Sequence, residues 1–121
     1  MTAADETQAA VERFHRAVNG HDVDALVAAM TADCHFESTL PPDGDIYDGA
    51  AAVGAFFRKL FDTSLEREFE MEELVVAEDR AVMRWRHSWV DRSGSAGHVR
   101  GVDVFLVRDG KVAEKLSYVK G

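Results

Sequence analysis

The feature that most constrains the fold of this chain is a change in hydrophobic period near Thr63. Before that residue, three segments place apolar side chains three and four positions apart, which is helical spacing. After it, four segments alternate apolar and polar residues with the period of two that is typical of strands. A chain that groups helices before strands is typical of the α+β class, with the helices packed on one face of an antiparallel sheet.

The predicted helices have clear limits. The first covers residues 7–20, where Asn19-Gly20 supplies the stop and Gly20 is free to take the left-handed conformation. Asp22 is a good N-cap for a second helix over residues 23–30. A third helix is predicted over residues 50–61.

The predicted strands begin with a short segment, residues 34–38, which a loop rich in Pro, Asp and Gly follows at 39–45. Four long strands come after the third helix, at 65–77, 81–90, 98–107 and 112–119. Residues 91–97 form the loop between the second and third of these. Asp109-Gly110 is a favoured pair for the last tight turn.

Length and charge limit the function. A chain of 121 residues suits one domain, residues 1–121. Its net charge of −8 disfavours nucleic acid and membranes as partners, because both carry negative charge. The single cysteine, Cys34, and an N-terminus without a basic or long apolar run indicate a cytoplasmic protein. The histidines are scattered and no metal-binding motif is present, so we expect neither a metal nor another cofactor.

One residue conflicts with its surroundings. Asp103 lies in the middle of the apolar stretch RGVDVFLV, residues 100–107. An ionised carboxylate among Val, Phe and Leu is costly unless a partner neutralises it or a proton binds it. Asp103 is therefore the first candidate for a functional residue.

The order of elements, ending in GVDVFLVRDGKVAEKLSYV, resembles the SnoaL-like branch of the nuclear transport factor and ketosteroid isomerase superfamily. The resemblance covers roughly residues 9–119. It implies a cone-shaped fold in which helices and a curved, mainly antiparallel sheet enclose an apolar pocket. It is less specific for chemistry, since this superfamily contains isomerases, cyclases, hydrolases and non-catalytic binders.

Two of the superfamily's mechanisms lack their residues here. The Tyr donor of ketosteroid isomerases corresponds to Phe14, and their general base falls on Ser38; only their protonated Asp matches, at Asp103. The Arg and two Asp of epoxide hydrolase relatives fall near Trp85, His87 and Ser117. The resemblance therefore implies neither a standard ketosteroid isomerase nor an epoxide hydrolase.

SnoaL-like polyketide cyclases are more similar, since they use an Asp on this strand with a His on its neighbour. Asp103 matches, and His87 is the candidate second member. If the loop centres near Ser95, His87 lies directly opposite Asp103, Trp89 opposite Gly101, and Trp85 opposite Phe105. A slip of one residue would instead place Arg86 opposite Asp103, in a structural ion pair. We favour the first register because it keeps arginine off the face that carries the tryptophans.

The site predicted from these patterns is aromatic with one acid and one imidazole. Asp103 acts as acid or base with His87 assisting, or it stays protonated and donates a hydrogen bond to a carbonyl oxygen. Eight further residues are predicted to contact a ligand: Phe14, Ser38, Phe56, Phe57, Trp85, Trp89, Phe105 and Tyr118.

The other face of the strand predicts a subunit contact. Val102, Val104 and Leu106 point away from Asp103 yet are apolar, and a sheet with two apolar faces needs cover on both. A second copy of the chain is the simplest cover, and relatives commonly dimerise through the sheet. We therefore expect a homodimer.

Three functions fit the sequence. The first is a cofactor-independent acid–base enzyme, of the cyclase, isomerase or dehydratase type, acting on a hydrophobic carbonyl compound of polyketide or steroid type. The second is a non-catalytic protein that binds a small apolar molecule. The third is a dimeric accessory domain with a collapsed pocket.

Overall fold

The structure is a computed structural model that describes residues 2–121, apart from the side chains of residues 64 and 65. Its helices are α1 (Ala3–Asn19), α2 (Val23–Ala28) and α3 (Ala50–Asp62). Its strands are β1 (Met30–Glu37), β2 (Ile46–Asp48), β3 (Ser64–Ala77), β4 (Arg80–Asp91), β5 (Ala96–Arg108) and β6 (Lys111–Val119). The predicted α+β class, with helices packed against a mostly antiparallel curved sheet, is confirmed.

The turn between α1 and α2 differs from the prediction in one respect. Gly20 keeps a right-handed backbone, with φ of −78°, and the left-handed residue is His21, with φ of 51°. Asp22 caps α2 as predicted, because its side chain accepts a hydrogen bond from the Ala25 backbone N–H at 3.0 Å. The helix ends at Ala28 rather than at residue 30, since Met30 already pairs with Val112 in the sheet.

The six strands form one sheet in the order β2-β1-β6-β5-β4-β3. The four long strands follow one another as an antiparallel meander, as predicted. β1 joins the edge of that meander by running parallel to β6, and the short strand β2 pairs antiparallel with β1. The sequence pattern did not predict β2, which has only three residues and directly follows the Pro- and Gly-rich loop.

The helices cover one face of the sheet, where the core lies. α1 packs against β3, β4, β5 and β6, while α3 packs mainly against β1 and its neighbours. Phe14 of α1 meets Phe105 of β5 and Phe57 of α3 edge to face, with ring centroids 5.9 and 6.1 Å apart. On β4 and β5 the buried positions alternate, which brings Asp103 to this inner face.

A bulge interrupts β3. Met71 pairs with Trp85 and Glu73 with Arg84, so Glu72 is an extra residue on this strand. Such a bulge bends a strand and increases its twist. It therefore contributes to the curvature that leaves room between the sheet and the helices.

Candidate functional site

A cavity of about 120 Å³ lies between the helices and the inner face of the sheet. Its walls are mostly aromatic and aliphatic, with a small number of polar groups, which is typical of small-molecule sites. The lining residues are Phe14, His15, Val18, Phe36, Thr39, Phe56, Phe57, Leu60, Phe69, Met83, Trp85, His87, Val99, Asp103, Lys115 and Ser117.

Three polar side chains form a buried cluster in this cavity. The Ser117 hydroxyl donates a hydrogen bond to Asp103 Oδ1 at 2.6 Å, and Lys115 Nζ donates to Ser117 Oγ at 2.7 Å. Lys115 Nζ also lies 3.4 Å from Asp103 Oδ2. Their residues are only 4–9% exposed. We call Asp103, Lys115 and Ser117 the buried cluster.

Strand register explains how the cluster forms. Asp103 of β5 lies directly opposite Ser117 of β6. Lys115 lies two residues from Ser117 on the same strand, so its side chain points to the same face. Each member of the cluster is therefore fixed by sheet pairing and not by a loop.

The Lys115 ammonium group has aromatic neighbours as well. Its Nζ lies 4.4 Å from the centroid of the Phe36 ring and 5.7 Å from that of Phe57. A cation over an aromatic face is attracted by the negative charge density of the ring. The contacts with a carboxylate, a hydroxyl and two rings all stabilise a charged lysine within the cavity.

This arrangement answers the question that Asp103 raises in the sequence. Its carboxylate has an ammonium partner and a hydroxyl donor, which are contacts that stabilise a charged carboxylate in an apolar setting. Lys115 and Ser117 are the site residues that the sequence prediction missed. Alternation in KVAEKLSYV puts both on the face opposite to Leu116, but the tight turn that pairs Arg108 with Lys111 would by itself place Leu116 opposite Asp103. A bulge between Leu106 and Val107 shifts the pairing by one residue, and the sequence pattern did not predict it.

The predicted register between β4 and β5 is wrong. Asp103 lies opposite Met83, while His87 lies opposite Val99 and Arg86 opposite Arg100. Trp85 lies opposite Gly101, and Trp89 opposite Gly97. Both registers considered for the Asp103 partner, with His87 or with Arg86, are therefore excluded.

The physical cause is the turn. Asp91 Oδ1 accepts hydrogen bonds from the backbone N–H groups of Ser93 and Ser95, at 2.9 and 3.0 Å. These bonds close a tight turn, and pairing resumes at once with Ala96 opposite Val90. The loop is therefore centred near Ser93 and not near Ser95, which displaces the pairing by four residues on β5.

Because the pairing is displaced by an even number of residues, His87 and Asp103 still lie on the same inner face of the sheet, and both line the cavity. They are not in contact through the sheet, because His87 is four residues along β4 from the partner of Asp103, roughly 13 Å at strand spacing. The two residues therefore belong to different parts of the cavity wall.

His87 is held in a neutral state. Its ring stacks on Phe69 with centroids 3.9 Å apart, and Arg67 Nη1 lies 2.6 Å from His87 Nε2. Burial, followed by the positive charges of Arg67 and Lys115, lowers the pKa of His87 to about 3. Because a guanidinium can only donate, Nε2 must accept, and the ring proton resides on Nδ1.

A second histidine of the cavity was not predicted. His15, on α1, has its Nε2 3.2 Å from the Asn19 amide nitrogen. Burial lowers the pKa of His15, although the charge of Asp103 acts in the opposite direction. In the helix, His15 lies next to Phe14, at the border of the apolar face of α1. Because the sheet is curved, this border faces a cavity, which the sequence pattern alone does not indicate.

The predicted ligand-contact residues divide into two groups. Phe14, Phe56, Phe57 and Trp85 line the cavity. The other four are placed elsewhere, among the residues that the structure describes: Phe105 in the core, Ser38 in a loop, Trp89 against Gly97, and Tyr118 on the outer face.

The positions of Phe105, Ser38 and Tyr118 have structural explanations. Phe105 is fully buried beneath Phe14. The Ser38 hydroxyl accepts a hydrogen bond from the Asp45 backbone N–H at 2.9 Å, which orders the loop before β2. Tyr118 is 52% exposed, because it neighbours Ser117 and so points to the opposite face.

The described residues contain neither a metal-binding group of side chains nor a helix suited to span a membrane. No group of three or more His, Cys, Asp or Glu side chains there could hold a metal ion. His35 does lie between two carboxylates, yet both of its ring nitrogens are occupied, by Asp48 at 2.6 Å and Glu37 at 3.0 Å. No described helix combines the length and the apolar character that crossing a membrane requires.

Several solved structures are similar to this one along nearly the whole chain. A nuclear transport factor 2-like protein of unknown function from Mesorhizobium loti is 34% identical, with a TM-score of 0.83 over 100% of this chain and 96% of that one. An epoxide hydrolase-like protein of Mycobacterium tuberculosis is 17% identical, with a TM-score of 0.83 over 97% of this chain and 84% of that one.

A third similar structure, from Jannaschia sp. CCS1, carries a provisional assignment as a SnoaL-like polyketide cyclase. It is 22% identical, with a TM-score of 0.81 over 99% of this chain and 89% of the other. At such identities the likeness of the second and third structures concerns the fold alone. No protein of curated function matches this chain in sequence.

The family is established by sequence as well as by fold. The model of the SnoaL-like domain matches residues 11–115, which include the whole cavity apart from Ser117. The resemblance expected from the order of helices and strands is confirmed. This chain therefore belongs to the SnoaL-like domain family.

Proposed function

We propose that this protein is a cofactor-independent acid–base enzyme that acts on a hydrophobic carbonyl compound. The observation that carries the proposal is the buried cluster, in which Asp103 and Lys115 lie 3.4 Å apart within an aromatic cavity. A carboxylate base and an ammonium donor side by side are the two groups that enolisation of a ketone needs. The SnoaL-like family and the polyketide cyclase named among its structural neighbours agree with chemistry of this kind.

The proposed reaction begins with the carbonyl oxygen accepting a hydrogen bond from Lys115. An Asp103 carboxylate oxygen then takes the proton from the carbon next to the carbonyl. The electron pair of the broken C–H bond forms the C=C bond, and the C=O π pair moves to oxygen, where the ammonium stabilises it. Return of a proton to the same or another carbon gives exchange, isomerisation or the start of a cyclisation.

The remaining site residues have supporting roles in this proposal. Ser117 positions Asp103 through its hydrogen bond to Oδ1. Phe14, Phe56, Phe57 and Trp85 hold the apolar part of the substrate. His87 is assigned to the wall of the cavity, because its neutral ring is stacked on Phe69 and bound to Arg67 and is not beside Asp103.

Deuterium uptake tests the proposal. The protein is incubated with acetophenone in deuterated buffer, and proton NMR follows the loss of the methyl signal. We expect catalysed exchange, and Asp103→Asn should slow it by about 10²–10⁴-fold, the usual contribution of a general base. Asp109→Asn, the same chemical change in the turn after β5, should leave the rate unchanged. Exchange that survives Asp103→Asn in a folded protein would falsify the role of Asp103.

A second candidate function is binding without catalysis. The same ion pair favours it, since Lys115 and Asp103 already satisfy each other's charge without a substrate. Saturable binding of a ketone with no exchange above the buffer rate would support this function over the first. A cavity lies next to Asp103, which disfavours the third function, a dimeric accessory domain with a collapsed pocket.

We also propose that the protein is a homodimer that associates through the outer face of the sheet, and that it works in the cytoplasm. One apolar row crosses four strands there, with Val75 opposite Val82, Val82 opposite Val104 and Val104 opposite Leu116. Val75 and Val82 are 55% and 41% exposed, which leaves apolar surface for a partner to cover. For the cytoplasmic location, the support is the single cysteine, Cys34, which is free and buried.

A further inference from the structure

The size of the cavity restricts what it can hold. Its volume is about 120 Å³. A cavity of about 150 Å³ accommodates benzene, whereas sites for drug-sized ligands measure about 300–1,000 Å³. The cavity beside the buried cluster is slightly smaller than this benchmark, so it encloses about one six-membered ring at most and is too small to enclose the fused rings of a steroid or a polycyclic polyketide.

The charges of the lining residues restrict the ligand further. Asp103 and Lys115 carry opposite charges 3.4 Å apart and cancel. Burial lowers the pKa of both His15 and His87, so these two histidines add no charge at neutral pH. A carboxylate ligand would bring an unbalanced negative charge beside Asp103 into an apolar cavity, which is strongly unfavourable.

The shape of the wall favours a flat apolar group. Phe56 meets Phe57 and Phe36 edge to face, with centroids 5.2 and 5.0 Å apart, and all three rings line the cavity. An aromatic ring can add to such a set by offset or edge-to-face contacts. Lys115 Nζ lies 4.4 Å from the centroid of the Phe36 ring and 5.7 Å from that of Phe57, so an acceptor on a short arm of a bound ring would reach it.

We propose that the substrate is an uncharged ketone that carries a single aromatic ring and has its carbonyl at Lys115. This inference deepens the proposed function and rests on it for the role of the carbonyl. It predicts selectivity for neutral over anionic ligands and for one ring over several. Acetophenone has each of the required features: one ring, one carbonyl acceptor, no charge and an exchangeable methyl group.

Binding to the unmodified protein tests the proposal without any concern about folding. Acetophenone, benzoate and androstenedione are titrated separately, with calorimetry for affinity and the amide NMR signals of Phe57, Trp85 and Lys115 for location. We expect acetophenone to bind at these residues at least about tenfold more tightly than benzoate, a difference of about 1.4 kcal/mol. Androstenedione should not bind saturably. A smaller preference over benzoate, or saturable binding of the steroid at these residues, overturns the inference.

The exchange assay separates this inference from the proposed function. If acetophenone binds selectively but exchanges no faster than in buffer, the ligand class holds and the enzymatic function fails. If androstenedione or another multi-ring ketone exchanges in an Asp103-dependent manner while acetophenone does not, the function holds and the ligand class is wrong. Catalysed exchange of acetophenone alone supports both.

Discussion

At residue scale, position 103 combines deep burial with a partnered charge. Asp103 is 4% exposed, and Lys115 and Ser117 satisfy its carboxylate from the neighbouring strand. A buried ion pair of this kind often contributes little net stability, but removal of one partner leaves the other as a buried charge without a counter-charge. Stability measurements can therefore detect the pair independently of any activity.

We expect Asp103→Leu alone to lower the free energy of unfolding by about 3–5 kcal/mol, because Lys115 would remain buried without a counter-charge. The double variant Asp103→Leu, Lys115→Met should recover much of that loss, since it removes both charges. Urea denaturation of the wild type, both single variants and the double variant measures the coupling. Losses that simply add would contradict a direct interaction between the two groups.

His87 predicts a pH effect. Its pKa falls from the ordinary value of 6.5 to about 3 in the folded state, chiefly through burial. Between these values the unfolded chain binds the proton more readily, so this residue makes the protein less stable as the pH falls from 6.5 toward 3. His87→Gln, which keeps an acceptor for Arg67, should flatten the dependence of unfolding free energy on pH in this window. An unchanged slope would show that His87 titrates normally.

At the scale of elements, the meander of β3 to β6 determines which side chains meet. Gly101 shows how closely its strands pack. A Cβ at this position would lie 2.2 Å from the Tyr118 carbonyl oxygen and 2.7 Å from the Trp85 ring. The absence of a side chain at Gly101 thus lets Trp85 lie across β5 and form a wall of the cavity.

Gly101→Ala should destabilise the protein by about 1–3 kcal/mol, the usual cost of overpacking. We expect a loss near the upper end of this range, because one of the clashes is with a backbone atom. Gly97→Ala is the matched control on the same strand. Its Cβ would approach only the Trp89 side chain, at 2.7 Å, which can move near the end of the hairpin. Thermal unfolding measures the stability of both variants. A loss of stability in Gly97→Ala that equals or exceeds the loss in Gly101→Ala would contradict this prediction.

The sequence predicted elements more successfully than contacts between them. Hydrophobic periodicity and helix-capping residues located the helices and the long strands, because both are local features of the sequence. Examples are the helical spacing of Val53, Phe56 and Phe57 and the alternation along β4. The partner of Asp103 depended on a turn whose centre is set by the bonds of Asp91 with Ser93 and Ser95. Turn chemistry of this kind shifts every cross-strand pair, and composition cannot reveal it.

The missed members of the buried cluster have a related cause. No local pattern in the sequence marks Lys115 as buried. It is buried because β1 pairs in parallel with β6 and converts that strand from an edge into an interior strand. A parallel pairing between distant strands leaves little local signal, so the prediction identified Asp103 but neither of the groups that contact it.

At the scale of the whole molecule, the two faces of the sheet have different surroundings. The inner face meets the helices and the cavity, while the outer face carries the row from Val75 to Leu116. If that row is a subunit contact, the oligomeric state should depend on it. Val82 is the most useful position to test, because Arg80 and Arg84 lie on the same face two residues away on either side.

Light scattering at micromolar concentration should give the mass of a dimer for the wild type and of a monomer for Val82→Glu. The neighbouring arginines can accommodate the new carboxylate in the monomer, so circular dichroism should confirm a folded variant. Val99→Thr, a small change on the inner face, serves as the control and should remain a dimer. A wild-type protein that is already monomeric would rule out the proposed association.

The central claim is that a substrate carbonyl reacts between Asp103 and Lys115. The most direct measurement is deuterium exchange into acetophenone by the wild type, Asp103→Asn, Lys115→Gln and the double variant, each checked for folding. Groups that act together on one substrate are strongly non-additive, so the double variant should be scarcely slower than Asp103→Asn alone. Multiplicative losses in the double variant, or a Lys115→Gln rate equal to that of the wild type, would contradict the claim.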